Sequence, residues 1–85
     1  MKIQLRFFAS LRERVGCGAT EIEVADEKIS AKQVRQLLIA RGSPWDQALA
    51  ADKVLRMALN QNMIADDANL RDGDELAFFP PVTGG

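Results

Sequence analysis

Asp74-Glu-Leu-Ala-Phe-Phe-Pro-Pro-Val-Thr-Gly-Gly85 reads as a strand that becomes a stiff tail and ends on two glycines. From Glu75 to Phe79 the residues alternate, Leu76 and Phe78 on one face and Glu75, Ala77 and Phe79 on the other, which is the period of a half-buried strand. Pro80 and Pro81 lack an N–H and fix φ near −65°, so the ladder stops and the chain leaves the sheet extended. Pro80 to Gly85 can span at most ~20 Å at about 3.3 Å per residue. Val82 and Thr83 are β-branched and stiff, whereas Gly84 and Gly85 have no side chain, so the tip is narrow enough to enter a tight channel. We therefore expect a domain over residues 1–79 and an extended tail over 80–85. A frayed terminus is the plain alternative. It does not account for two prolines stiffening the approach or an aromatic pair at its base.

Working outward, the opening residues pair naturally with this strand. Lys2 to Phe8 alternates, with Ile3, Leu5 and Phe7 on one face and Lys2, Gln4, Arg6 and Phe8 on the other. Ser10 and Glu13 have capping-box spacing before a short helix that Gly16 closes. Thr20 to Val24 reads as an edge strand with Ile22 and Val24 as its apolar residues. Ser30 and Gln33 form a second capping box, flanked by Ile29 and Val34 in hydrophobic-staple positions, and predict a helix to about Arg41 with Val34, Leu37, Leu38 and Arg41 in one stripe and Gly42 at its end. Ser43-Pro44-Trp45-Asp46 predicts a further short helix over Pro44 to Leu49, with Ser43 as N-cap and Trp45 in the core. Val54 to Leu59 reads as a strand, Asn60-Gln61-Asn62 as a turn, and Met63-Ile64-Ala65 as the returning strand. Between Asp66 and Asp74 a polar segment holds one apolar anchor, Leu70, and its acids read as a solvated run. The order of elements implies an α+β fold, a mixed sheet of four to five strands crossed by one main helix.

Composition narrows the chemistry. The chain has 85 residues, 47% hydrophobic and 27% charged, with a net charge of −1, which fits one globular domain. With no surplus of clustered Lys and Arg, nucleic acid is not an expected partner. No apolar run approaches the ~20 residues of a membrane helix, so neither a membrane partner nor a non-cytoplasmic location is expected. Having no histidine and no tyrosine, the chain lacks an ordinary group titrating near neutrality, and no metal site or catalytic triad built on histidine can form. It is not expected to be an enzyme on its own. Cys17, the single thiol, lies between Gly16 and Gly18 with nothing beside it that would lower its pKa, and reads as an incidental loop residue rather than a persulfide carrier.

The ending Asp72 to Gly85, with its Phe-Phe-Pro-Pro-Val-Thr-Gly-Gly, and the opening Leu5-Arg-Phe-Phe-Ala-Ser-Leu-Arg-Glu-Arg-Val-Gly16 together resemble the small, sulfur-carrying subunits of molybdopterin synthase. The resemblance covers the chain end to end. It implies a ubiquitin-like β-grasp fold with the first and last strands parallel. It further implies that Gly85 is adenylated by an ATP-dependent, ubiquitin-activating-like enzyme, which uses the ATP and Mg, and is then converted to a thiocarboxylate by a sulfur donor such as a cysteine desulfurase system. The loaded tail would enter the large catalytic subunit of the synthase and give its sulfur to a cyclic pyranopterin phosphate. Gly85 and Gly84 are then the reactive end, Pro80, Pro81, Val82 and Thr83 the inserted approach, and no cofactor or metal is held by the chain itself. The sulfur carrier of thiamine biosynthesis, a ubiquitin-like modifier of lysines, and a plain interaction domain are the alternatives. Phe8 and Phe79 fall on the outward face of neighbouring strands, and with Met63 they are the expected partner-recognition patch.

Overall fold

The structure, a computed structural model, describes residues 1–80. The expectations for Pro81, Val82, Thr83, Gly84 and Gly85 lie outside the described residues. Among those described, five strands form one mixed sheet in the order β2-β1-β5-β3-β4. These are β1 (Lys2–Phe7), β2 (Ala19–Glu23), β3 (Arg56–Leu59), β4 (Asn62–Ile64) and β5 (Glu75–Phe79), with helices α1 (Ser10–Val15), α2 (Ala31–Ile39) and α3 (Trp45–Ala48) between them. β1 and β5 run parallel in register Leu5 with Leu76 and Phe7 with Phe78, while the remaining neighbours are antiparallel.

The alternation of β1 sends Ile3, Leu5 and Phe7 into the core, where they meet Leu76 and Phe78 from β5 and Ala31, Val34 and Leu38 from α2. Phe7 stacks on Phe78 with centroids 5.7 Å apart and contacts the half-buried Trp45 at 5.6 Å. Each fully buried Leu, Ile or Phe contributes roughly 1.5–3 kcal/mol by leaving water. This shared core fixes the pairing of the first and last strands, because slipping by one residue would turn every apolar side chain outward.

Helix α2 begins as its sequence predicts. Ser30 Oγ accepts from Gln33 N, and Gln33 Oε1 accepts from Ser30 N. The other two amides of the first turn are satisfied from far along the chain: Ala31 N donates to Ala68 O, and Lys32 N donates to Asp67 Oδ1 at 3.0 Å. Asp67 is thus a capping residue rather than one of a solvated run. Asp66 joins it by pairing with Lys32 at 2.8 Å. Leu70 is the buried anchor of the segment.

Several local expectations are overturned. Ser10 does not cap α1; that helix starts from Ala9, whose φ of 52° and ψ of −133° make Phe8-Ala9-Ser10-Leu11 a type II′ turn closed by Leu11 N donating to Phe8 O. Ser43 does not cap α3: Pro44 itself occupies the N-cap position, without a side-chain bond. Helix α2 stops at Ile39, and Arg41 stacks over the Trp45 ring instead of extending it. Leu37 is 46% exposed, because Ala31, Val34 and Leu38 form the inward stripe. Val54 precedes β3 and points to solvent.

Candidate docking surface beside the tail

The outward positions of the sheet form ordered rows. Beside the tail, Phe8 follows β1, Phe79 ends β5 and Arg56 begins β3 directly opposite Phe79. The next row reads Arg6, Ala77, Ala58 and Met63 across β1, β5, β3 and β4. The third is polar, with Gln4 beside Glu75 and the Asn60 side chain accepting from Glu75 N and donating to Asp74 Oδ1.

Phe8 and Phe79 meet edge to face with centroids 5.7 Å apart. The strand parity of the sequence anticipated that meeting. Phe8 is 43% exposed and Met63 is 53% exposed, although Met63 stands two strands away from Phe79. Between them Ala58 and Ala77, each 4% exposed, form a low floor. These alanines were missed by sequence reading as part of the site, although small apolar residues at outward strand positions beside Phe79 are the signal that marks them. Phe8 is held by its backbone, its N–H donating to Phe78 O at 3.1 Å. Arg6 lies over the Phe8 ring at 5.7 Å and pairs with Glu75 at 3.5 Å. Pro80 follows β5 outside the ladder, so the described end of the chain leaves from this same margin of the sheet.

The shifted titrating groups lie elsewhere and serve the fold. Burial holds the Arg35 guanidinium below its usual range. Its N–H groups donate to the carbonyls of Leu49, Ala50 and Lys53, tying α2 to the loop after α3. Burial alone would raise the Asp67 carboxyl, but the amides of Lys32 and Ala68 donating to it bring it below the ordinary value. The hydrogen bond and charge of Asp66 raise Lys32. Cys17 is half-buried against the core. Among the described residues no polar or charged side chain is buried, no cluster of three metal-ligating residues occurs, and no helix is long and apolar enough to cross a membrane.

The family model described as the ThiS family matches residues 5–85. The chain belongs to the ThiS family. Its similarity to the molybdopterin synthase sulfur carrier subunit of Escherichia coli strain K12 is 47% identity, covering 98% of this chain and 99% of that one. The subunit of the same name from Haemophilus influenzae is 41% identical over the same shares. Among solved structures, a chain from the protein–protein complex of subunits 1 and 2 of molybdopterin-converting factor from Helicobacter pylori aligns with a TM-score of 0.64 and 26% identity, covering all of both chains. SAMP1 from Haloferax volcanii aligns with a TM-score of 0.77 at 24% identity, also over both whole chains, and shows the fold. This member of the ThiS family therefore has the ubiquitin-like β-grasp architecture expected of it.

Proposed function

We propose that this protein is the sulfur carrier of molybdopterin synthase, acting as a cosubstrate whose reactive group is the carboxyl of Gly85. The observation that carries the reading is the 47% identity to the Escherichia coli sulfur carrier subunit over nearly the whole of both chains. A carboxylate is a poor electrophile. An activating enzyme must therefore join it to AMP from ATP, with release of pyrophosphate, before a sulfur nucleophile can displace AMP and leave a thiocarboxylate. The thiocarboxylate then gives its sulfur to the cyclic pyranopterin, and water restores the carboxylate. With neither histidine nor tyrosine, the chain has no ordinary group titrating near neutrality for these steps, so in this reading both enzymes come from outside. Pro80, Pro81, Val82 and Thr83 are the approach that enters them, with Gly84 leaving room beside the reacting carbonyl.

The large synthase subunit is seated, in this reading, on Phe8, Phe79 and Met63. Pro80 directly follows Phe79, so one docking event would both cover the rings and receive the tail. The Helicobacter pylori complex of subunits 1 and 2 supports such a pairing. ATP and Mg are consumed by the activating enzyme, and a cytoplasmic setting keeps the lone Cys17 reduced. The test is the intact mass after incubation with ATP, the activating enzyme and sulfide. One oxygen-for-sulfur exchange confined to the C-terminal peptide is expected; an unchanged mass, or sulfur located on Cys17, overturns the reading.

A further inference from the structure

The patch is charged as well as apolar. On its tail side Arg56 faces Phe79 across the strand pair, and on the other flank Arg6 stands beside Ala77. Their situations differ. Arg6 has Glu75 at 3.5 Å and the Phe8 ring beneath it. Arg56 is exposed and takes part in none of the ion pairs or side-chain hydrogen bonds among the described residues. Glu75, the outward-facing acid of β5, lies two rows further from the tail than Arg56 and is already engaged by Arg6. The tail end of the sheet is therefore locally positive on a chain whose net charge is −1.

A surface that covers Phe8, Phe79 and the alanine floor must also strip water from Arg56, because it is the direct cross-strand neighbour of Phe79. Removing water from a guanidinium is costly unless an opposite charge replaces that water. On the docking reading just given, we infer that the large subunit presents a carboxylate to Arg56, beside the apolar surface that covers Phe8, Phe79 and the two alanines. Arg56 then selects the partner and its orientation: apolar contact supplies affinity, and the ion pair rejects apolar surfaces that lack the acid. Arg6, neutralised by Glu75, holds the Phe8 ring in place and leaves Arg56 as the charge that reads the partner.

The experiment titrates the large subunit against the unmodified protein, Arg56→Glu, Arg56→Gln and Phe79→Ala, at about 0.05 M and about 1 M salt, with thermal unfolding followed for each. Arg56→Glu is expected to bind at least about tenfold more weakly at low salt, Arg56→Gln less so, and both differences should shrink at high salt, where charge is screened. Phe79→Ala should lose affinity equally at both salts. If Arg56→Glu fails to fold, Arg56→Gln decides through its reduced salt dependence. Unchanged binding of the Arg56 variants while Phe79→Ala is weakened, or a loss independent of salt, overturns the acidic-partner inference alone. Unchanged binding in Phe79→Ala as well overturns the docking reading beneath it.

Discussion

Phe8 and Phe79, 71 residues apart in the chain, hold their rings 5.7 Å apart at 64° on the outside of the sheet, while their neighbours Phe7 and Phe78 stack at 5.7 Å on the inside. One parallel register between β1 and β5 produces both pairs. The inner pair belongs to the core, and on the proposed docking the outer pair serves recognition. Phe8→Ala and Phe79→Ala are each expected to cost about 2 kcal/mol or more of binding to the large subunit, with little change in thermal unfolding. Phe78→Ala should cost about 3–5 kcal/mol of stability. Calorimetric titration beside a melting curve separates the two, and a large loss of stability in Phe8→Ala would return that ring to the core.

Ala9 occupies the first central position of a type II′ turn, with φ at 52°, where glycine is the residue without strain. Ala9→Gly should therefore stabilise the protein. Relief of strain outweighs the added freedom of the unfolded chain by about 1 kcal/mol, a rise of roughly 4–8 °C in Tm for a domain of this size. A Tm that falls would show that the turn is relaxed as it stands.

Arg35 bonds three carbonyls, those of Leu49, Ala50 and Lys53, at 2.8, 2.5 and 2.8 Å. Arg35→Ala should lower stability by about 2 kcal/mol, since hydrogen bonds to a charged donor are lost and partly buried acceptors are left open. Arg35→Lys should recover little of it, because a single ammonium does not reproduce the planar fork. Urea unfolding with an unchanged slope tests this; wild-type stability in Arg35→Lys would show that charge alone suffices.

The Asp67 carboxyl lies below its ordinary value of 3.8 in the folded protein. The folded state therefore binds fewer protons here than the unfolded state, so the stabilisation is complete above about pH 4 and is lost as pH falls through the folded value. Asp67→Asn should be less stable near neutrality and show a flatter acid limb. Parallel acid limbs for the two proteins, measured by urea midpoints from neutral pH downward, would remove Asp67 from the account.

Any residue added after Gly85 should abolish sulfur loading while leaving the melting curve unchanged, because the reactive carboxyl is then an internal amide. Cys17→Ala should load normally. Mass spectrometry of both variants after the activation reaction is decisive: loading of the extended chain, or failure of Cys17→Ala with its fold intact, would move the chemistry from tail to thiol.

Strand alternation in Lys2–Phe8 and Glu75–Phe79, the Ser30 and Gln33 capping box, and the left-handed Gly16 after α1 were legible because each depends on residues within a few positions of one another. The side-by-side placement of Phe8 and Phe79 was legible too, once the two strands were taken as neighbours, since parity then fixes the face. Ser10 and Ser43 show where local signals lose: a capping motif is an offer, and Ala9, in its backbone turn, and Pro44 take those N-cap positions instead. Asp67 on the amide of Lys32, 35 residues away, and Arg35 on three loop carbonyls have no sequence signature, because their partners are chosen by how distant segments pack. So it is with the alanine floor and Arg56. Period-2 alternation places each on the outward face, but only the lateral order β5-β3-β4 sets Arg56 against Phe79 and Ala58 between Ala77 and Met63, and that order follows from the hydrogen bonds between strands and the core they share.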